Sequence, residues 1–131
     1  MALECVFEMA PDHVICKVSG QFTAEEGVRV IQSTVDACIL KDLSHALIDS
    51  TGIEHAAMAT NKIVTAHKVE ELFNRLSEVG QKVPRIAIFG FAPFIDRYKP
   101  ASDYFQLRNL PIRTFDSRSA AMKWLFATDP K

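Results

Sequence analysis

Asp49, Ser50 and Thr51, followed at once by Gly52 and then by Glu54 and His55, form the densest group of side chains able to take part in chemistry. A hydroxyl on a turn beside a carboxylate can accept a phosphoryl group, which adds about −1.5 to −2 charge and three acceptor oxygens. A serine, an acid and an imidazole can also form a hydrolytic relay. Here all three fall within seven positions, a spacing that rarely gives relay geometry. The chain has no Gly-x-Ser-x-Gly elbow, Walker loop or Gly-x-Gly-x-x-Gly, so an enzyme is not expected. Asp49, Ser50, Thr51, Gly52 and Glu54 are the candidate site for contact with a partner, with hydroxyls at Ser50 and Thr51 as the groups a modification could reach. The competing structural role is that these side chains only satisfy turn and cap hydrogen bonds.

A second group is aromatic. Phe89, Phe91, Phe94, Tyr98, Tyr104 and Phe105 make up half of the chain's nine Phe, two Tyr and one Trp. Such a cluster can line an apolar pocket, touch a membrane surface or form a face between two copies of the chain. Arg97, Lys99 and Arg108 would give a pocket a cationic rim suited to a carboxylate or phosphate head group. The alternative site is thus a carrier pocket for a small apolar or lipid-like ligand, lined by Phe91, Phe94, Tyr98, Tyr104, Phe105 and Arg97. An ordinary core beneath a loop would explain the same residues.

The remaining reactive side chains are dispersed. His13, His45, His55 and His67 show no metal-binding spacing and read as scattered surface imidazoles. Cys5, Cys16 and Cys38 lack a Cys-x-x-Cys pair and read as reduced thiols packed as small apolar groups. No cofactor is implied.

The elements that position these residues follow from periodicity. Cys5, Phe7 and Met9 alternate with Glu4, Val6 and Glu8, and Val14, Cys16 and Val18 with His13, Ile15, Lys17 and Ser19, so two strands form a hairpin turning at Ala10-Pro11. Pairing Met9 with Asp12 sets Phe7 against Val14 and Cys5 against Cys16. Thr23-Ala-Glu-Glu26 is a capping box, and Val28, Ile31, Val35 and Cys38 or Ile39 continue one helical stripe to about Leu40. Ala46 to Asp49 reads as a buried strand, stopped by Asp49, Ser50, Thr51 and Gly52 as a turn at its carboxyl end. Ligands and anions favour that end of such sheets.

Local pattern leaves Glu54 to Thr60 undecided between helix and loop. Ile63, Ala66, Val69, Leu72 or Phe73, Leu76 and Val79 then write a second helix, ended by Gly80. Arg85 to Phe89 is a strand buried on both faces, and Pro100 occupies the first turn of a helix through Tyr104, Phe105 and Arg108. Ile112 to Phe115 is the last strand. Asp116 or Ser117 caps a final helix whose inner face is Ala120, Ala121, Trp124 and Leu125. This order predicts an α/β sandwich with a mixed sheet of about five strands, a hairpin followed by parallel βαβ units, and about four helices.

Composition agrees with an ordinary globule. The 131 residues are expected to form one domain, 1–131, able to bury about two thirds of their unfolded surface. Hydrophobic residues make up 48% and charged residues 24%, which excludes a disordered chain. Fifteen basic against sixteen acidic residues leave no field that would draw nucleic acid. The start Met-Ala-Leu-Glu-Cys lacks the basic flank and apolar core of a secretory signal, and no apolar run approaches about 18 residues, so the expected location is cytoplasmic.

Two segments resemble the SpoIIAA-like group of the STAS superfamily, the anti-sigma-factor-antagonist fold also found as a cytosolic domain of sulfate transporters. Ile48-Asp49-Ser50-Thr51-Gly52-Ile53 resembles the family's Asp-Ser-Ser-Gly-Leu turn. In anti-anti-sigma factors the hydroxyl after the Asp is the phosphorylated one, and the resemblance assigns that position to Ser50. Phe115-Asp116 through Ala120 to Trp124-Leu125 resembles the final strand and helix of the SpoIIAA-like branch. The chain departs from the pattern after Gly52, where Glu54 and His55 precede a soft Ala-Met-Ala stretch instead of an apolar helix. The resemblance implies a non-catalytic regulatory domain with a protein partner. The branch's relation to SEC14-type lipid carriers keeps the carrier alternative open, and the surplus aromatics make a homodimer a further expectation.

Overall fold

A computed structural model of the chain describes residues 3–21, 23–55, 62–91 and 99–127. Five strands, β1 (Glu4–Met9), β2 (Val14–Gln21), β3 (His45–His55), β4 (Arg85–Phe89) and β5 (Ile112–Phe115), form one sheet in the order β1-β2-β3-β4-β5. β1 runs antiparallel to β2 and the other neighbours are parallel. Four described helices complete the chain: α1 (Ala24–Lys41), α2 (Lys62–Glu78), α3 (Lys99–Leu107) and α4 (Arg118–Leu125). The expected mixed α/β sandwich is therefore observed.

The hairpin register differs from the expected one by two residues. Met9 pairs with Val14, Phe7 with Cys16 and Cys5 with Val18. The link takes four residues because the Ala10 N–H donates to the His13 carbonyl at 3.0 Å, while Asp12 turns its carboxylate onto His13 Nδ1 at 2.8 Å. A shift of two leaves every side chain on its own face, whereas a shift of one would have inverted the strand. Cys5 and Cys16 thus become diagonal rather than direct neighbours, and all three cysteines are free thiols.

α1 begins as expected. Thr23 Oγ1 accepts the Glu26 N–H at 3.2 Å. The reciprocal half of the capping box does not form, because Glu26 Oε1 accepts the Leu3 N–H instead and pairs with Arg29. Asp42 ends the helix with φ 57°, the left-handed conformation that glycine or Asn usually supplies.

Strands β2 to β5 follow one another across the sheet, and right-handed crossovers between such neighbours place all their connecting helices on one side. α1, α2 and α3 accordingly bury Val35, Cys38, Val69, Phe73 and Phe105 against Val14, Cys16, Ile48, Ile86 and Ile112. Val79, expected on the inner stripe of α2, lies beyond the helix end and is exposed, in a turn completed by Gly80 at φ 77°. Among the described helices α4 alone covers the opposite side, where Ala121 and Leu125 close over Leu47, Ala87 and Phe89. Its cap is Ser117, whose Oγ accepts the Ala120 N–H at 3.1 Å. The four-residue step from Ala121 to Leu125 sets the buried stripe and leaves Ala120 exposed, contrary to the expected inner face.

The largest departure concerns β3. Asp49, Ser50, Thr51 and Gly52 do not turn the chain; the strand runs through them to His55. Beyond Asp49, which pairs with both Lys17 and Phe89, the described ladder joins β3 to β2 alone, through Ser19↔Gly52, Gly20↔Ile53 and Gln21↔His55. Local turn preference is overridden because β2 is long enough to offer a ladder there. The surplus residues are absorbed as irregularities between Lys17 and Ser19 and between Gly20 and Gln21.

Candidate functional site

The segment 49–54 therefore forms an irregular strand extension past the carboxyl end of β4. Alternation carries Ile48 and Ser50 toward α1 and α2, while Asp49 faces the side that bears α4. Ser50 is 5% exposed, and Asp49 and Thr51 are half-buried. One oxygen, Asp49 Oδ1, accepts both the Thr51 N–H at 3.0 Å and the Thr51 hydroxyl at 2.7 Å, which fixes the first irregularity from within. Lys17, the ladder partner of Asp49, pairs instead with Glu8 at 2.9 Å.

Gly52 is required by close approach. A Cβ at that position would lie 2.9 Å from both Ser19 Cβ and the Val18 carbonyl oxygen. Only a residue without a side chain lets β3 meet β2 here. Glu54 and His55 belong to the strand by their backbone.

The aromatic group is divided between environments. Phe105 is buried in the core beneath α1 to α3, whereas Phe89 packs on the opposite side of the sheet with α4. Tyr104 packs against the first core and donates its hydroxyl to Glu70 Oε1 at 2.7 Å; Arg108 pairs with the same oxygen at 3.1 Å and stacks on the Tyr104 ring. Phe91 is 63% exposed. Phe94, Arg97 and Tyr98 lie outside the described residues.

Sequence reasoning missed a row at the amino ends of the strands. Val14 pairs with Ala46 and His45 with Arg85, so His13, His45 and Arg85 stand side by side on the α4 face. His13 is buried, not a surface imidazole, and its Nε2 is buried with no hydrogen-bond partner. Phe126, at the end of α4, packs on both rings, with centroids 5.5 Å from His13 and 4.7 Å from His45. Burial, followed by the nearby Arg85 charge, holds the His45 pKa below the usual imidazole value; Asp12 opposes this, while His13 and Lys82 add to it. The signal lay in position: each histidine directly precedes an apolar strand run, and adjacent parallel strands bring such positions together. Among the described residues, no group of three or more His, Cys, Asp or Glu is placed to hold a metal ion, and no helix is long and apolar enough to cross a membrane.

The architecture has known counterparts. A crystal structure of an anti-sigma factor antagonist from Mycobacterium paratuberculosis aligns with a TM-score of 0.56 at 12% identity, covering 96% of this chain and 96% of that one. An uncharacterized protein of the DUF3478 family with a SpoIIAA-like fold, from Shewanella loihica PV-4, aligns with a TM-score of 0.46 at 16% identity, over 95% of this chain and 94% of that one. No family model and no curated protein matches the chain. The fold is that of the anti-sigma factor antagonist, the mixed α/β sandwich that the sequence predicts.

Proposed function

We propose that this chain is a non-catalytic regulatory domain that binds a protein partner through Asp49, Ser50, Thr51, Gly52 and Glu54, with Ser50 as its phosphorylation switch. The observation that carries the reading is the extension of β3 past β4, where the described ladder holds the strand on one side only. A strand held on one edge offers the other to a partner. The fold likeness to an anti-sigma factor antagonist supports a role in regulation by contact.

The burial of Ser50 determines how such a switch works. A phosphate cannot fit at a position that is 5% exposed against the core. Modification acts on the open form of the segment and then keeps it from reseating on β2, so the signal is displacement of the strand end rather than a charge added to a fixed surface. Asp49 and Thr51 set how readily the segment opens, through their two hydrogen bonds.

The test is an affinity pull-down from the native host with wild type, Ser50→Ala and Ser50→Asp as baits, each checked for folding by circular dichroism. A protein retained by wild type and Ser50→Ala but lost with Ser50→Asp supports the switch and names the partner. Partners held equally by all three baits refute it.

A further inference from the structure

We infer that Phe126, the residue that follows α4, is a pH-operated latch: it closes over the His13 and His45 rings near neutral pH and is released when His45 takes up a proton. The latch stands at the amino ends of β2 to β4, the opposite end of the sheet from Asp49 to Glu54, and is independent of the proposed function.

The closed arrangement is built from neighbours in the sheet. The parallel pairing of Val14 with Ala46 puts His13 beside His45, and the pairing of His45 with Arg85 adds the next strand. One aromatic ring covers both imidazoles. Phe126 stands edge-on to His13, with centroids 5.5 Å apart at 76°, and leans over His45 at 4.7 Å and 33°. Beneath it His13 is buried and His45 half-buried, while Phe126 itself stays 40% exposed.

This closure is light. The Asp12 carboxylate engages His13 Nδ1 at 2.8 Å, but His13 Nε2 is sealed without a hydrogen-bond partner, a cost that lasts as long as the ring above it stays in place. Two backbone bonds continue past Leu125: the Phe126 N–H donates to the Met122 carbonyl and the Ala127 N–H to the Trp124 carbonyl, each at 3.2 Å. The body of the helix is seated more firmly. Ala121 and Leu125 are fully buried, and the Trp124 ring has Arg85 Cζ at 4.2 Å, Arg113 Cζ at 5.5 Å and the Phe115 ring at 5.7 Å. Movement is therefore confined to Phe126 and Ala127, with Leu125 as the fixed point.

A proton on His45 works against the closed form. Burial, to which the Phe126 ring contributes, penalises a charged imidazole most; the Arg85 charge comes next, and His13 and Lys82 act in the same direction, while Asp12 opposes them. From α4 His45 meets the uncharged Phe126 ring. A proton shifts an equilibrium only as far as its affinities for the two forms differ, and they differ here because lifting Phe126 returns His45 to water. The sign follows: the closed form is favoured above the usual imidazole value and loses ground as the pH falls below it.

The experiment is an NMR titration of the whole chain between about pH 8 and about pH 5, in wild type, His45→Gln and Phe126→Ala. It follows the His45 ring protons, the nuclear Overhauser contacts from the Phe126 ring to His13 and His45, and the backbone amides of Ala121 and Val69. In wild type the ring contacts should fade with the midpoint of His45, while Ala121 and Val69 keep their native signals. In His45→Gln the contacts should persist to the acid end. Phe126→Ala changes a partly exposed side chain, and it should raise the His45 midpoint toward the usual imidazole value because the cover that disfavoured the charge is gone. The inference is overturned by ring contacts that persist after His45 has titrated, by contacts that fade equally in His45→Gln, or by an unchanged His45 midpoint in Phe126→Ala. Loss of the native Ala121 and Val69 signals in the same step also overturns it, since the whole domain then opens and there is no latch.

Discussion

Asp49 Oδ1 and Thr51 are joined twice, through the Thr51 N–H and the Thr51 hydroxyl, and this double contact spans the first irregularity of β3. Asp49→Ala removes both bonds and leaves a half-buried N–H without its acceptor, which should lower stability by about 1–2 kcal/mol. Thr51→Val removes the hydroxyl bond only and should have roughly half that effect. Urea unfolding of the two single variants and the double variant measures the coupling; strictly additive losses would show that the contact does not fix the strand end.

Gly52→Ala should destabilise by about 1–3 kcal/mol, because the added methyl meets Ser19 Cβ and the Val18 carbonyl oxygen, both at 2.9 Å. Adding Ser19→Gly relieves the first clash but not the second, so the double variant should recover only part of the loss. Thermal unfolding checks this, and a Gly52→Ala protein as stable as wild type would mean that β3 does not approach β2 at this distance.

The thiols should react in a fixed order. Burial, reinforced by the neighbouring Cys5, pushes the Cys16 pKa up to about 12, and burial alone pushes Cys38 up to about 11. At pH 8 the Cys16 thiolate is then about one part in ten thousand of the thiol. Brief alkylation of the native protein, followed by mass spectrometry, should label half-buried Cys5 and reach Cys16 and Cys38 only after unfolding. Native labelling of Cys16 at the rate of Cys5 would contradict this.

Stability should fall as the solution is acidified through the imidazole range. The His45 pKa is lower in the folded protein than in the unfolded chain, so the unfolded chain binds more protons as pH drops. The contribution of His45 is complete above the unfolded value of about 6.5 and is lost progressively below it. The urea midpoint should therefore decrease between about pH 7.5 and about pH 5.5, and His45→Gln should flatten that segment of the curve. An unchanged pH profile in His45→Gln would remove His45 as the cause.

The order of elements was legible in the sequence because each carries its own period. The alternation of Val14, Cys16 and Val18 and the helical stripe from Ile31 to Cys38 are buried as their spacing requires. What was not legible depends on pairing between distant segments. Asp49 to Gly52 has the composition of a turn, yet Ser19, Gly20 and Gln21 of β2 supply a ladder that keeps it extended. Phe89 and Phe105 are close in sequence but lie on opposite sides of the sheet, since Phe89 of β4 faces one side and α3 packs on the other. Arg85, Arg113 and Trp124 are far apart in sequence and meet only through the register of β4 with β5.

The uneven covering of the sheet bears on how the chain is made. Among the described helices three shield one side as the strands are laid down, but Leu47, Ala87 and Phe89 wait for α4, which follows every strand it covers. During synthesis the nascent chain carries an open apolar surface until that last helix leaves the ribosome, an interval in which sticking to other chains competes with closure. A premature stop before Arg118 would leave that surface without the helix that closes over it, and a chaperone that shields β3 and β4 until α4 arrives would raise the yield of folded protein.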